Sequence, residues 1–143
     1  MIIIGADHAG FELKEKIKKF LQKEGYDIVD VGAFKIDTED DFSFYVKLLS
    51  KAFEQDENSF IISVCGSGVG MNVGLNKHKN IRSVVGHTVE EVALAREHND
   101  VNALSLSGRT TSFILAKKMI KAFLDTKNLK GKYEKRMKEI EIL

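Results

Sequence analysis

Phe60-Ile61-Ile62-Ser63-Val64-Cys65-Gly66-Ser67-Gly68-Val69-Gly70 is the stretch on which the fold turns. Phe60 to Val64 is a short apolar run, suited to a β-strand covered on both faces. The three alternating glycines after Cys65 allow backbone N–H groups to converge on a small concave surface where a helix begins, and such a surface favours an anion. The turn is not a nucleotide-binding Walker loop, because no Gly-Lys-Ser/Thr follows, and it lacks dinucleotide-fingerprint spacing.

Outward from this turn, short apolar runs alternate with segments of helical period. Met1-Ile2-Ile3-Ile4 is β-branched and apolar on both faces. Leu13, Ile17, Phe20 and Leu21 then share one helical face, with Gly25 as the stop. Asp27 to Val31 reads as a strand, and Tyr45, Leu48, Leu49 and Ala52 as a helix face. Ile81 to Val85 is a further strand, after which Thr88-Val89-Glu90-Glu91 has capping-box spacing and opens a helix containing Val92 and Ala93. Ala103 to Leu106 is a weaker strand interrupted by Ser105. Ala116, Met119, Ile120 and Phe123 mark another helix, and Tyr133, Met137 and Ile140 a short last one.

About five strands alternating with helices predict an α/β fold, a Rossmann-like three-layer αβα sandwich with parallel strands in the order 2-1-3-4-5. Ligands of such sheets bind beyond the carboxyl ends of the strands where strand order reverses, here between the first and third strands. The unusual residues lie there: Asp7-His8-Ala9-Gly10 after the first strand and the Cys65 turn after the third.

The chain has 143 residues, which fits a single domain over 1–143. Lys plus Arg at 22 against Asp plus Glu at 21 gives a formal charge of +1, so no global field draws it to nucleic acid. One cysteine precludes an internal disulfide. No signal peptide or membrane-length apolar run is evident, and a cytoplasmic protein is expected. The four histidines show no metal-ligand spacing, so no metal or other cofactor is expected. In the acidic stretch, Asp37, Glu39 and Asp40 read as a solvated loop, with Asp41 set apart.

Cys65, the last residue before the glycine turn, sits where the positive end of a helix dipole favours a thiolate. Asp7 and His8 would face it across the crevice. His98-Asn99-Asp100, Ser107-Gly108-Arg109 and the basic segment from Lys117 onwards are further polar clusters, some of whose cations could hold a phosphate. His78 and His87 read as surface or packing residues. Taken alone, the residues define a site for a small anionic molecule without specifying a reaction.

Gly5-Ala6-Asp7-His8-Ala9-Gly10, Cys65-Gly66-Ser67-Gly68-Val69-Gly70-Met71, Asn76-Lys77, Ile81-Arg82 and Arg96-Glu97-His98-Asn99-Asp100 follow one another as they do in the type B ribose-5-phosphate isomerases, which the chain resembles over nearly its whole length. The wider ribose/galactose-6-phosphate isomerase family includes enzymes for galactose 6-phosphate and allose 6-phosphate. The resemblance implies a metal-free aldose–ketose isomerase of carbohydrate metabolism, built as a homodimer or a tetramer, with each active site completed by the partner subunit.

By the same resemblance Cys65 is the base that moves a proton between C1 and C2, and His98 opens the sugar ring. The turn of Gly66, Ser67, Gly68, Val69 and Gly70, with Asn99, forms an anion hole for the enediolate. Ser67 stands where the family usually has Thr. Asp7 and His8 match sugar contacts, and Arg109, Lys132 and Arg136 phosphate contacts. Two departures bear on specificity. The family's Gly-Gly-Arg-His reads Lys130-Gly131-Lys132-Tyr133 here, and its Asp-Tyr-Pro reads Asp41-Phe42-Ser43. Lysine in place of arginine loses the bidentate fork. The same chemistry on a six-carbon sugar phosphate, and a noncatalytic sugar-phosphate-binding module, are the alternative readings. The apolar stripe of the last helix has little room to dock on its own domain and is expected to reach a neighbour's site.

Overall fold

The computed structural model describes residues 1–141. Its strands are β1 (Ile2–Ala6), β2 (Ile28–Asp30), β3 (Phe60–Cys65), β4 (Ser83–Val85) and β5 (Ala103–Ser107). Its helices are α1 (Phe11–Lys23), α2 (Phe42–Gln55), α3 (Val69–Leu75), α4 (Val89–Asn99), α5 (Phe113–Asp125) and α6 (Lys132–Glu141). The strands form one parallel sheet. Alternation along the central strands divides the core in two. Ile2, Ile4, Ile62, Val64, Leu104 and Leu106 pack against α1, α4 and α5, while Ile3, Ile61, Cys65 and Ala103 pack with residues of α2 and α3. Thr88 caps α4 through Glu91 N–H at 3.1 Å, as its spacing predicts.

The sheet order is β2-β1-β3-β5-β4, which corrects the expected 2-1-3-4-5. β5 is buried along its whole length and β4 only half-buried, so β4 takes the edge. Ser105, the residue that makes β5 look weak in sequence, is what suits it to the interior. Its hydroxyl lies 2.8 Å from that of Ser63 on β3 and 3.1 Å from that of Ser83 on β4, so one short polar ladder spans three strands. Right-handed crossovers then explain the layers. The connection from β3 to β4 moves outward with α3 on one face; the return from β4 to β5 reverses direction and places α4 on the other.

The last helix also departs from expectation, because α6 docks on its own domain. Asn128 Nδ2 donates to Glu97 O at 3.0 Å, as does Leu129 N–H, and the left-handed residues Lys130 and Gly131 turn the chain back along α4. Arg82 Nη1 then holds Glu141 at 2.8 Å. The helix nevertheless has no buried residue. Among the described residues no helix is long and apolar enough to cross a membrane.

Candidate functional site

The β1–α1 and β3–α3 connections leave the sheet on opposite faces, and a cavity of about 200 Å³ opens between them. Asp7, His8, Ala9, Phe42, Cys65, Gly66, Ser67, Gly70 and Arg109 line it. Asp7 and His8 after β1, Cys65 and Ser67 at the end of β3 and Arg109 after β5 thus meet at the expected switch point, brought there from three separate stretches of sequence. Cys65 ends β3 with 4 % of its surface exposed, packed among core residues yet open to the cavity.

Gly68 adopts φ +81°, a left-handed conformation that lets the chain turn from β3 directly into α3. The N–H groups of a first helical turn have no acceptor within the helix, so those of Gly70 and Met71 are open to a ligand. Ser67 Oγ accepts the Val69 N–H at 3.2 Å. Ser107 braces the turn from behind, donating to Gly66 O at 2.7 Å, and Gly108 N–H donates to Cys65 O at 2.8 Å. A Cβ at Gly66 would lie 2.9 Å from the Arg109 guanidinium and push that exposed side chain aside. Phe42, where the family pattern has Tyr, lies over Gly70 and forms an apolar part of the wall.

On the opposite wall, Asp7 Oδ1 accepts the N–H groups of Ala9 at 3.0 Å and Gly10 at 3.1 Å, fixing the loop that enters α1. Burial pushes the Asp7 carboxyl above its ordinary value, opposed by the Gly10 N–H and the neighbouring His8. His8 Nδ1 lies 2.7 Å from Asp40 Oδ1, and this hydrogen bond is the main cause of a His8 pKa raised above the usual 6.5. Asp40 Oδ2 in turn accepts the Tyr45 hydroxyl at 3.1 Å. Burial, with Asp40 beside it, pushes the Tyr45 phenol up to about 12.

Asp40 therefore does not belong to the expected solvated loop: its side chain is only 9 % exposed, whereas Asp37, Glu39 and Asp41 lie at the surface. The contact closes over 32 residues of chain, so local acidity carried no sign of it. Asp7, His8 and Asp40 also place one potential metal-ligating atom each within 4.8 Å of one another, a grouping that linear ligand spacing does not register. Their inward atoms are engaged by one another and by backbone N–H groups.

His98, Asn99, Lys132 and Arg136 do not join this cavity within one chain. His98 and Asn99 end α4, which leads through Asp100 to the start of β5, whereas Cys65 pairs with Ser107 at the far end of β5. The four residue steps from Ala103 to Ser107 alone span about 13 Å, at ~3.3 Å per residue. The distant residues form their own cluster. The His98 ring stacks on Tyr133 at 4.5 Å, and the charged groups of Lys132 and Arg136 lie 5.3 and 5.7 Å from the centre of the Tyr133 ring. Arg96 and Asp100 build its frame. Arg96 donates to Val101 O at 2.6 Å, to Thr126 O at 3.1 Å and to Asp100 at 3.1 Å, while Asp100 also receives Arg82.

A doubly wound sheet with a thiol, a glycine turn and an arginine at its switch point defines an α/β protein with a site for a small anionic molecule. The sequence profile of the family described as Ribose/Galactose Isomerase matches residues 2–140, and the chain belongs to that family. It is 35 % identical over 142 residues to a probable ribose-5-phosphate isomerase B of Mycoplasma pneumoniae, covering 97 % of this chain and 91 % of that protein. Identity to the Escherichia coli ribose-5-phosphate isomerase B is 32 % over 139 residues, covering 97 % and 93 % of the two chains. Among solved structures, a ribose 5-phosphate isomerase of Thermotoga maritima superposes with a TM-score of 0.95 at 34 % identity, covering 99 % of this chain and 97 % of the other. A Mycoplasma genitalium ribose-5-phosphate isomerase B with bound ribulose-5-phosphate gives a TM-score of 0.95 at 29 % identity, covering 99 % and 93 %.

Proposed function

We propose that this protein interconverts ribose 5-phosphate and ribulose 5-phosphate in the cytoplasm, as a homodimer whose sites take residues from both copies. The observation that carries the reading is the placement of Cys65 at the floor of the switch-point cavity, against the glycine turn and beside Arg109. In the open-chain aldose the Cys65 thiolate takes the proton from C2, and the electron pair moves through C1 to the carbonyl oxygen, giving an enediolate. The thiol returns the proton to C1 as the C2 oxygen becomes the ketone carbonyl and loses its own proton, while the C1 oxygen gains one. Atoms and charge balance without a cofactor.

N–H groups of the Gly66–Gly70 turn stabilise the enediolate oxygen, where each well-placed donor is worth roughly 3 kcal/mol. Ser67 lies at the sugar, and Asp7 and His8 hold its hydroxyls. Arg109 takes the phosphate with Lys132 and Arg136 of a second copy, whose His98 opens the ring and whose Asn99 joins the anion hole. The sheet-length separation of the Cys65 and His98 clusters supports the shared site, because one copy alone cannot bring both to a five-carbon substrate.

The test is conversion of ribose 5-phosphate by the native chain and by Cys65→Ala, with chelator present, beside galactose 6-phosphate and allose 6-phosphate. Turnover of the pentose that disappears in Cys65→Ala supports the reading. Turnover of a hexose phosphate alone reassigns the substrate, and absence of turnover on all three leaves a binding module.

A further inference from the structure

We propose that Asp40 is a positioning residue of this site: it fixes the His8 imidazole so that Nε2, the ring nitrogen turned away from it, meets the sugar phosphate at the Cys65 cavity. The inference rests on the isomerase reading above and adds a residue to it. One carboxylate oxygen, Asp40 Oδ1, receives both the His8 backbone N–H at 3.0 Å and His8 Nδ1 at 2.7 Å, so main chain and ring are held from the same point. The second oxygen is engaged by Tyr45, whose ring belongs to the core between the sheet and α2. His8 itself lines the cavity beside Asp7, Cys65 and Arg109. A chain of contacts therefore runs from the buried Tyr45 through Asp40 to a ring at the ligand.

An acceptor at Nδ1 selects the tautomer that carries hydrogen there, which is the way carboxylates orient ligating and catalytic histidines. Nε2 is then the nitrogen that gains or loses the titrating proton. Protonated, it donates to a sugar or phosphate oxygen; neutral, it only accepts. Asp40 and Asp7 both favour the charged ring and Arg109 opposes it, with Tyr45 behind Asp40. The charged, donating form consequently persists to higher pH than in an ordinary histidine, and substrate affinity falls on the alkaline side of the His8 midpoint.

The experiment uses the full chain labelled with nitrogen-15, following the imidazole signals of wild type, Asp40→Asn and Tyr45→Phe between about pH 5 and 9, with His8→Gln to assign them. The expected wild type shows the Nδ1–H tautomer when neutral. Asp40→Asn titrates at distinctly lower pH, whereas Tyr45→Phe, which keeps the Asp40 charge beside His8, shifts it little. In kinetics, Asp40→Asn raises KM for ribose 5-phosphate roughly tenfold while kcat changes less than about threefold, and its KM begins to climb at lower pH. An Nε2–H tautomer, an unchanged His8 titration in Asp40→Asn, or a loss confined to kcat overturns the assignment. If the wild type does not isomerise ribose 5-phosphate, the activity reading fails. The His8 signals, recorded with and without ribose 5-phosphate, still decide the role of Asp40.

Discussion

The ring of His98 lies flat on that of Tyr133, centroids 4.5 Å apart and planes 9° from parallel. Tyr133 occupies the position where the family pattern has a histidine, so the aromatic face is present there and the imidazole is not. The stack holds His98 on the end of α4 and anchors the start of α6. Tyr133→Ala frees His98 and is expected to lower kcat/KM for ribose 5-phosphate by about threefold to tenfold, the worth of one aromatic pair. Tyr133→His retains a stacking ring and stays within about twofold of the native chain. Steady-state assays of the two variants check this, and equal losses in both would remove the stack from the account.

The buried hydroxyls of Ser63 and Ser105 are satisfied by each other across β3 and β5. Replacing one leaves the other in an apolar interior with a partner missing, which costs about 1–3 kcal/mol. Ser63→Ala alone is expected to destabilise the fold by that amount, because Ser105 is left only its longer contact to Ser83. The double replacement Ser63→Ala, Ser105→Ala removes donor and acceptor together and is expected to cost less than either single change added to the other. Urea unfolding of the three variants measures the coupling.

That ladder also shows how far the sequence could be read. The position of the cavity was legible because most of its lining comes from the loops after β1 and β3, and both announce themselves through glycine, a thiol and charged residues at strand ends. The neighbour of β3 was not legible. A serine within an apolar run weakens a strand when viewed along the chain, and its favourable contacts appear only once three strands lie side by side. Asp40 was hidden for a related reason: its partners are a histidine 32 residues away and a tyrosine five residues on, inside α2, and nothing in an acidic loop distinguishes the residue that turns inward. His98 and Cys65 stand out in the sequence as residues but not as places, since motif order says nothing about the two ends of a sheet.

Lys14 is wholly buried, and its ammonium lies 2.9 Å from both oxygens of Asp30 while also donating to Ala33 O. Burial by itself pushes the Asp30 carboxyl up, but hydrogen bonds from Lys14, Lys18 and the Gly32 N–H overcome it and hold the carboxyl below its usual 3.8. A carboxyl whose pKa is lower folded than unfolded adds stability that is complete above the unfolded value and lost as pH falls through the folded one. Lys14→Met leaves Asp30 only Lys18 and the Gly32 N–H and is expected to cost about 3 kcal/mol at neutral pH. The gap between variant and native chain should narrow on acidification below about pH 4, where Asp30 begins to protonate. Unfolding free energies measured across that range decide the matter, and a gap that does not change with pH would falsify the pairing as its source.

The separation of Cys65 from His98 gives the strongest quantitative expectation. If each site joins Cys65 of one copy to His98 of another, Cys65→Ala and His98→Gln are both inactive alone, because every site lacks one group. In a mixed dimer the two lesions fall together in one site, and the other site regains a native Cys65 and a native His98. Random re-association of equal amounts produces half mixed dimers, each with one of its two sites intact, so about a quarter of native activity returns. Mixing the purified variants, unfolding and refolding them together, and assaying ribose 5-phosphate turnover reads this directly. A site contained in one copy recovers nothing, since no single chain in the mixture carries both groups, and a recovery that peaks near a quarter at equal amounts distinguishes the dimeric site from trace contamination, which varies only in proportion to the contaminated preparation's share.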